Sequence, residues 1–338
     1  MLRAVYVILA IGVVAALSGG CGEGTETETT KPLSSSPKKS NPGPKEIDIT
    51  LDGYPSAENV GVLMAHERGY FEDVGLDVWI RIPQSQLKPL RYVADRAVAL
   101  SITRQPQLVL ARQRDVPVVA FGSLVPQPTA ALIWLEKEGI GGIADLKGKT
   151  VGVTGLPFER SFLGSILARA GMTLADVKVE RADYDLVLDL VKGRVDAIFG
   201  SWNLEGVELE KMGLKPVITR VQGLGVPSYE ELVLITRPDR LSREPEVISA
   251  FMTALARGTA AAAENPKAAA GFINRFSFDE FGKATEDQVK ATLPLLSKEG
   301  RMNPDQASDL MEWMEAEGMI EETLPLSDLF TDEYFGQP

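Results

Sequence analysis

Polar and aromatic side chains recur just past the ends of apolar runs. Asp52 and Tyr54 follow EIDITL, Arg104, Gln105 and Gln107 follow AVALSIT, Phe158 and Glu159 follow TVGVTG, and Trp202, Asn203 and Glu205 follow VDAIFGS. A core gains nothing from an indole, an amide and a carboxylate side by side, because each needs a polar partner once buried. Together they suit a flat, nitrogen-bearing ring: aromatic faces stack on it, while amides and carboxylates pair with its ring nitrogens and exocyclic donors. A buried carboxylate facing an N–H group also rejects any ligand without that donor, since the acceptor is then left unpaired. Tyr184, Tyr229 and Glu231 join the set by their spacing near the places where the chain changes lobes. The expected ligand contacts are therefore Asp52, Tyr54, Gln105, Gln107, Phe158, Glu159, Tyr184, Trp202, Asn203, Glu205, Tyr229 and Glu231.

Several of these residues also suit structural duties. Asn203 is a favoured N-cap with Glu205 in the first turn behind it, Pro106 between the two glutamines suits a first helical position, and Phe158 fits a core. Catalytic chemistry finds little to work with. His66 is the single histidine, placed in an expected helix beside Glu67, and Cys21 is the single cysteine. No Ser-His-Asp set forms except through His66, no GxxxxGK[ST] loop is present, and the carboxylates lack clustered metal-ligand spacing. No catalytic residue, metal or cofactor is expected.

The elements that would carry these residues alternate between strands and helices, the pattern of α/β layers around largely parallel sheets. EIDITL, LDVWIRI, AVALSI and VPVVAFG read as strands of a first lobe, with helices AENVGVLMAHERG and SQLKPLRYVAD between them. TVGVTG, VKVERA, VDAIFG and KPVITRV read as strands of a second, whose helices end before Gly171, Gly193 and Gly213, where left-handed caps are wanted. After ELVLITR the pattern is helical only. With ALIWL and ELVLITR as its two crossings, the chain reads as a hinged pair of lobes, one spanning 46–133 and 234–338 and the other 134–233. In such sheets ligands gather at the carboxyl ends of strands, which places the polar and aromatic set in the cleft between lobes.

The 338 residues carry a net charge of -12, with no basic stripe for nucleic acid. MLRAVYVILAIGVVAALSGGC offers one early arginine, a short apolar run and small residues ending at Cys21. It resembles a bacterial lipoprotein signal, removed at 1–20 to leave Cys21 as a lipid-modifiable anchor. Residues 21–45, rich in Thr, Ser, Pro and charge, then form a flexible tether. Membrane contact through this anchor alone, on the extracytoplasmic face, is the expected localisation.

The segment GYFEDVGLDV, with SITRQPQLVLARQRDVPVVAFGSLV, GIADLKGKTVGVTGLPFERS, VDAIFGSWNLEGVELE and VPSYEELVLI in order after it, resembles the NMT1/THI5-like family of periplasmic binding proteins. The resemblance implies a type II two-lobe α/β fold and a ligand in the inter-lobe cleft. It also implies service to the permease and ATPase of an ABC importer, for thiamine pyrimidine precursors or, in some members, riboflavin. Pyrimidine-binding members usually read Leu-Asp-Trp-x-Pro-Asn with a histidine three residues on. Here LDGYPSAEN puts Gly53, Ser56 and Asn59 at the places of the Trp, Asn and His. Losing the tryptophan should open room for a larger ring beside Tyr54, so the expectation leans to riboflavin, with a formylamino- or hydroxymethylpyrimidine as the alternative. The family also holds pyrimidine synthases, but their cysteine-rich iron motif and reactive histidine have no counterpart here, so the chain is expected not to be an enzyme.

Overall fold

The computed structural model describes residues 43–136, 139–277 and 285–334, so Cys21, the signal segment and most of the tether lie outside it. Strands β1 (Lys45–Thr50), β2 (Leu76–Arg81), β3 (Leu100–Thr103) and β4 (Val119–Val125) enter one sheet. Strands β5 (Ala130–Leu135), β6 (Thr150–Val153), β7 (Lys178–Arg181), β8 (Ala197–Ser201) and β9 (Pro216–Arg220) build a second, and β10 (Leu232–Thr236) returns to the first. The strand orders are β2-β1-β3-β10-β4 and β7-β6-β8-β5-β9. Each sheet has a parallel half, β2-β1-β3 and β7-β6-β8. Each is completed by an antiparallel strand next to a crossing, β10 in one and β5 in the other.

ALIWL is thus a strand of the second sheet and not a crossing. Its residues are buried throughout and pair with β8 on one side and β9 on the other. The change of sheet falls at 126–129, and the return at 221–231. A continuous apolar run marks a strand buried on both faces without saying which sheet it joins.

Helices α1 (Val60–Glu67), α2 (Tyr70–Asp73), α3 (Pro89–Ala94) and α4 (Gln105–Arg112) link the strands of the first sheet. Helices α5 (Glu159–Ala168), α6 (Leu186–Val191) and α7 (Val207–Lys211) serve the second. The tail folds as α8 (Pro238–Arg243), α9 (Pro245–Glu264), α10 (Pro266–Phe276), α11 (Glu286–Thr292), α12 (Pro304–Ala316) and α13 (Leu326–Leu329). Gly171, Gly193 and Gly213 take φ of 70°, 65° and 76°, the left-handed caps that end their helices.

The tail mostly covers the first sheet, and α9 lies hard against α1. An added Cβ on Gly258 would strike the backbone carbonyl of Gly61 and come within 2.7 Å of the Ala65 nitrogen. This contact fixes the wall of residues 52–59 that leads into α1. On the opposite face an apolar cluster runs from the first sheet, through Val233 and Ile235, into the helices of the second. Its joint is aromatic: the Phe162 ring packs edge-on against Tyr229 at 5.7 Å and against Trp313 at 5.0 Å.

Candidate functional site

Both parallel halves aim their carboxyl ends at one cleft, with about 590 Å³ of space counting the part open to solvent. That lies within the roughly 300–1,000 Å³ usual for small-molecule sites. The first sheet contributes Asp52, Gly53, Tyr54 and Glu58 after β1, Gln86 after β2 and Arg104 after β3. The second contributes Thr154, Leu156, Phe158 and Glu159 after β6, and Phe199, Ser201, Leu204 and Glu205 at and after the end of β8. The crossing that leads into β10 adds Glu231.

The charges are lopsided. Five carboxylates, those of Asp52, Glu58, Glu159, Glu205 and Glu231, line the cleft with one arginine. Arg104 is committed: its guanidinium donates to Glu231 at 3.0 Å and to Asp52 at 3.3 Å, all three side chains being at most 13% exposed. Burial alone would lower the pKa of Arg104, but the carboxylates of Asp52, Glu231 and Glu58 more than offset this and hold it protonated. Glu231 is further fixed by the backbone N–H of Thr129 at 3.0 Å and the Tyr229 hydroxyl at 3.2 Å. Glu159 turns back into its own loop, accepting from the Thr154 hydroxyl at 2.5 Å and the backbone N–H groups of Gly155 and Leu156 at 2.7 and 2.9 Å.

Among the described residues, Glu58 and Glu205 have no cation in contact. Burial pushes the Glu58 carboxyl well up, and its neighbours Glu231 and Asp52 add to the shift. Burial pushes Glu205 up to about 7, only partly offset by a 2.6 Å hydrogen bond from the Ser201 backbone N–H. Both carboxyls therefore hold their protons more tightly than free ones, and a cleft with five carboxyls and one committed arginine favours a ligand that brings donors or positive charge to ionise them.

Of the residues expected from sequence, Asp52, Tyr54, Phe158, Glu159, Glu205 and Glu231 line this cleft. Tyr184 stands at its rim, edge-on to Tyr54 with ring centroids 5.2 Å apart. The others are turned to structural work. Gln105 accepts from the backbone N–H of Glu230 at 2.8 Å, and Gln107 from the Thr103 hydroxyl at 3.2 Å. Tyr229 is fully buried against Phe162 and reaches the site only through its hydroxyl on Glu231. Trp202 is not a lining residue of the cleft, and one face of its ring is covered by the Arg220 guanidinium, 3.7 Å from the ring centroid. Asn203 is fully buried and joins the halves, donating to Glu58 at 3.1 Å and to the Thr292 hydroxyl at 2.9 Å.

The cause is local: Trp202–Gly206 is a five-residue π-type turn before α7, and its wider period sends Trp202 and Asn203 away from the side taken by Leu204 and Glu205. Glu58 and Gln86 were not singled out from sequence, and Arg104, noted there as following a strand, was left out of the expected contacts. Gln86 lies in the loop after a strand, so the strand-end rule that noted Arg104 could have reached it as well. Glu58, inside the capping turn SAEN, reads locally as a helix-start residue. A Cβ on Gly53 would stand in ordinary contact with the Gln86 and Tyr184 side chains, both 3.5 Å away, so these two residues border the place of the missing tryptophan.

The profile of the family described as NMT1/THI5 like matches residues 56–269. The chain is 29% identical over 294 residues to the formylaminopyrimidine-binding protein of Halalkalibacterium halodurans, covering 84% of this chain and 89% of that one. It is 26% identical over 208 residues to the 4-amino-5-hydroxymethyl-2-methylpyrimidine phosphate synthase of Schizosaccharomyces pombe, covering 59% of this chain and 60% of that one. The crystal structure of the periplasmic aliphatic sulphonate binding protein SsuA from Escherichia coli superposes with a TM-score of 0.66 at 14% identity, over 88% of this chain and 93% of that one. The chain accordingly belongs to the NMT1/THI5-like family and has the two-lobe type II α/β fold of periplasmic binding proteins.

Proposed function

We propose that this protein is the solute receptor of an ABC importer and that its ligand is an aminopyrimidine precursor of thiamine, held in the cleft between the two sheets. The observation that carries this reading is the surplus of carboxyl groups over cations in the cleft. Glu58 and Glu205 remain without a cation after Arg104 is spent on Asp52 and Glu231. An aminopyrimidine brings an exocyclic NH₂ and a protonatable ring nitrogen to such acceptors, whereas an isoalloxazine presents mostly carbonyl acceptors and a single imide N–H. Tyr54, Phe158 and Phe199 supply aromatic wall for a single ring. The relative named for formylaminopyrimidine binding supports the smaller ring.

Binding without turnover is part of this reading. His66 packs edge-on against Phe276, centroids 5.5 Å apart, and is not a lining residue of the cleft. Closure would bring together one lobe built on the β1-β4 and β10 sheet and another built on β5-β9, with the connecting segments 126–129 and 221–231 as hinges. A lipid on Cys21 and a tether from 22 to 45 would hold the receptor at the extracytoplasmic face, where a permease and its ATPase take up the ligand. Calorimetric titration of the purified protein tests the ligand: formylaminopyrimidine should bind one to one and riboflavin should give no heat of binding. Tight riboflavin binding with an inert pyrimidine would reverse the assignment.

A further inference from the structure

A second pocket opens from the rim of the cleft, with about 660 Å³ of space measured the same way. It adjoins the inner cleft, and Gln86, Thr154 and Leu156 line both. Its remaining wall includes Ser85 from the loop after β2 and Arg181 and Tyr184 from the end of β7. Between them Asp183 takes the left-handed φ of 47°, which an ordinary side chain adopts at a cost. Arg181 donates to Asp183 at 2.7 Å, so this pair brings no net charge to the pocket.

Gln86 stands at the junction. Its Oε1 is shut off from solvent and has no hydrogen-bond partner, while its side chain fills the place beside Gly53. An unpaired acceptor on the shared wall of two adjoining pockets is relieved by a donor placed at that junction.

We propose that the outer pocket is a second subsite, taking a short, neutral, polar substituent carried by the ring, and that Gln86 reads an N–H or O–H donor of that substituent at the junction. The proposal rests on the reading of the inner cleft as a pyrimidine site. The ring enters between Tyr54 and Glu205, and the substituent passes Gln86 toward Ser85 and Tyr184. The receptor then selects pyrimidines by their side arm, and a bare methyl in its place forfeits the outer contacts.

The test compares formylaminopyrimidine, whose arm carries an amide, with 4-amino-2,5-dimethylpyrimidine, which has the same ring and no arm. Both are titrated calorimetrically into the full chain, into Gln86→Ala and into Ser85→Trp, with thermal melts as the folding control. Gln86→Ala should weaken the amide-bearing ligand about tenfold and the methyl ligand less than about twofold, the scale of one hydrogen bond. Ser85→Trp, which fills the outer pocket, should remove the preference for the arm and leave the methyl ligand bound. Equal losses for both ligands in either variant, or no loss for either, would overturn the subsite while leaving the pyrimidine reading intact. If the unmodified chain binds neither pyrimidine, the reading of the cleft fails, and the subsite with it.

Discussion

At the residue scale the site turns on how one arginine is shared among carboxylates. Arg104 holds Asp52 and Glu231 in place, and all three are nearly closed to solvent. Arg104→Met should lower stability by about 3–5 kcal/mol in urea denaturation, because two buried carboxylates lose their counter-charge. Glu205 sets a pH dependence whose sign follows from its raised pKa. At low pH the carboxyl is protonated in folded and unfolded chains alike. As pH climbs from 4.5 to about 7 the unfolded chain releases its proton first, so the ligand-free protein loses stability across that window. Glu58, also raised, acts in the same direction. The ion-paired Asp239, Glu244 and Asp287, whose pKa values are lowered, act only at more acidic pH. Melting temperatures of the ligand-free protein should therefore fall between pH 5 and pH 7, and Glu205→Gln should flatten the fall. The residues legible in sequence were those following a strand directly, such as Asp52 and Phe158. Trp202 and Asn203 were legible as a chemical oddity but not in direction, since spacing does not announce a π-type turn that swings them onto Arg220 and Glu58.

At the element scale, two contacts place the walls of the cleft. The close approach of α1 and α9 has no room for a methyl group at Gly258, and the obstructing atoms are backbone. Gly258→Ala should cost about 1–3 kcal/mol in thermal or chemical denaturation, as overpacked cores do. Across the opening, α11 meets the turn before α7. Asn203 bonds Thr292 and Glu58, the Gln288 amide donates to the Leu204 carbonyl at 3.1 Å, and Lys211 pairs with Asp287 at 2.6 Å. Asn203→Ala should loosen this closure, seen as a larger radius of gyration in small-angle scattering of the ligand-free protein. An unchanged radius would assign Asn203 to local packing only. Strand and helix alternation was readable from apolar periodicity and capping glycines. The membership of β5 was not, because the run AALIWL is equally apolar in either sheet and its partners, β8 and β9, lie far along the chain.

At the scale of the whole molecule, the two sheets are joined differently on two sides. Phe162, Tyr229 and Trp313 make an apolar joint on one side, and hydrogen bonds between α11 and the turn at 202–206 bridge the other. Apolar packing tolerates small rotations, whereas hydrogen bonds break and re-form discretely, which suits a hinge and a closing edge respectively. The two-lobe plan was legible from the order of strands. The ligand was not, because it depends on which charges remain unpaired once Arg104 has chosen partners and on what fills the space beside Gly53. The most direct measurement is competition: the purified protein is dialysed against an equimolar mixture of formylaminopyrimidine, hydroxymethylpyrimidine and riboflavin, and the retained small molecule is identified by mass. One pyrimidine retained per chain, chemically unchanged, is the expected result. Retained riboflavin, or a pyrimidine converted to another compound, would contradict the account.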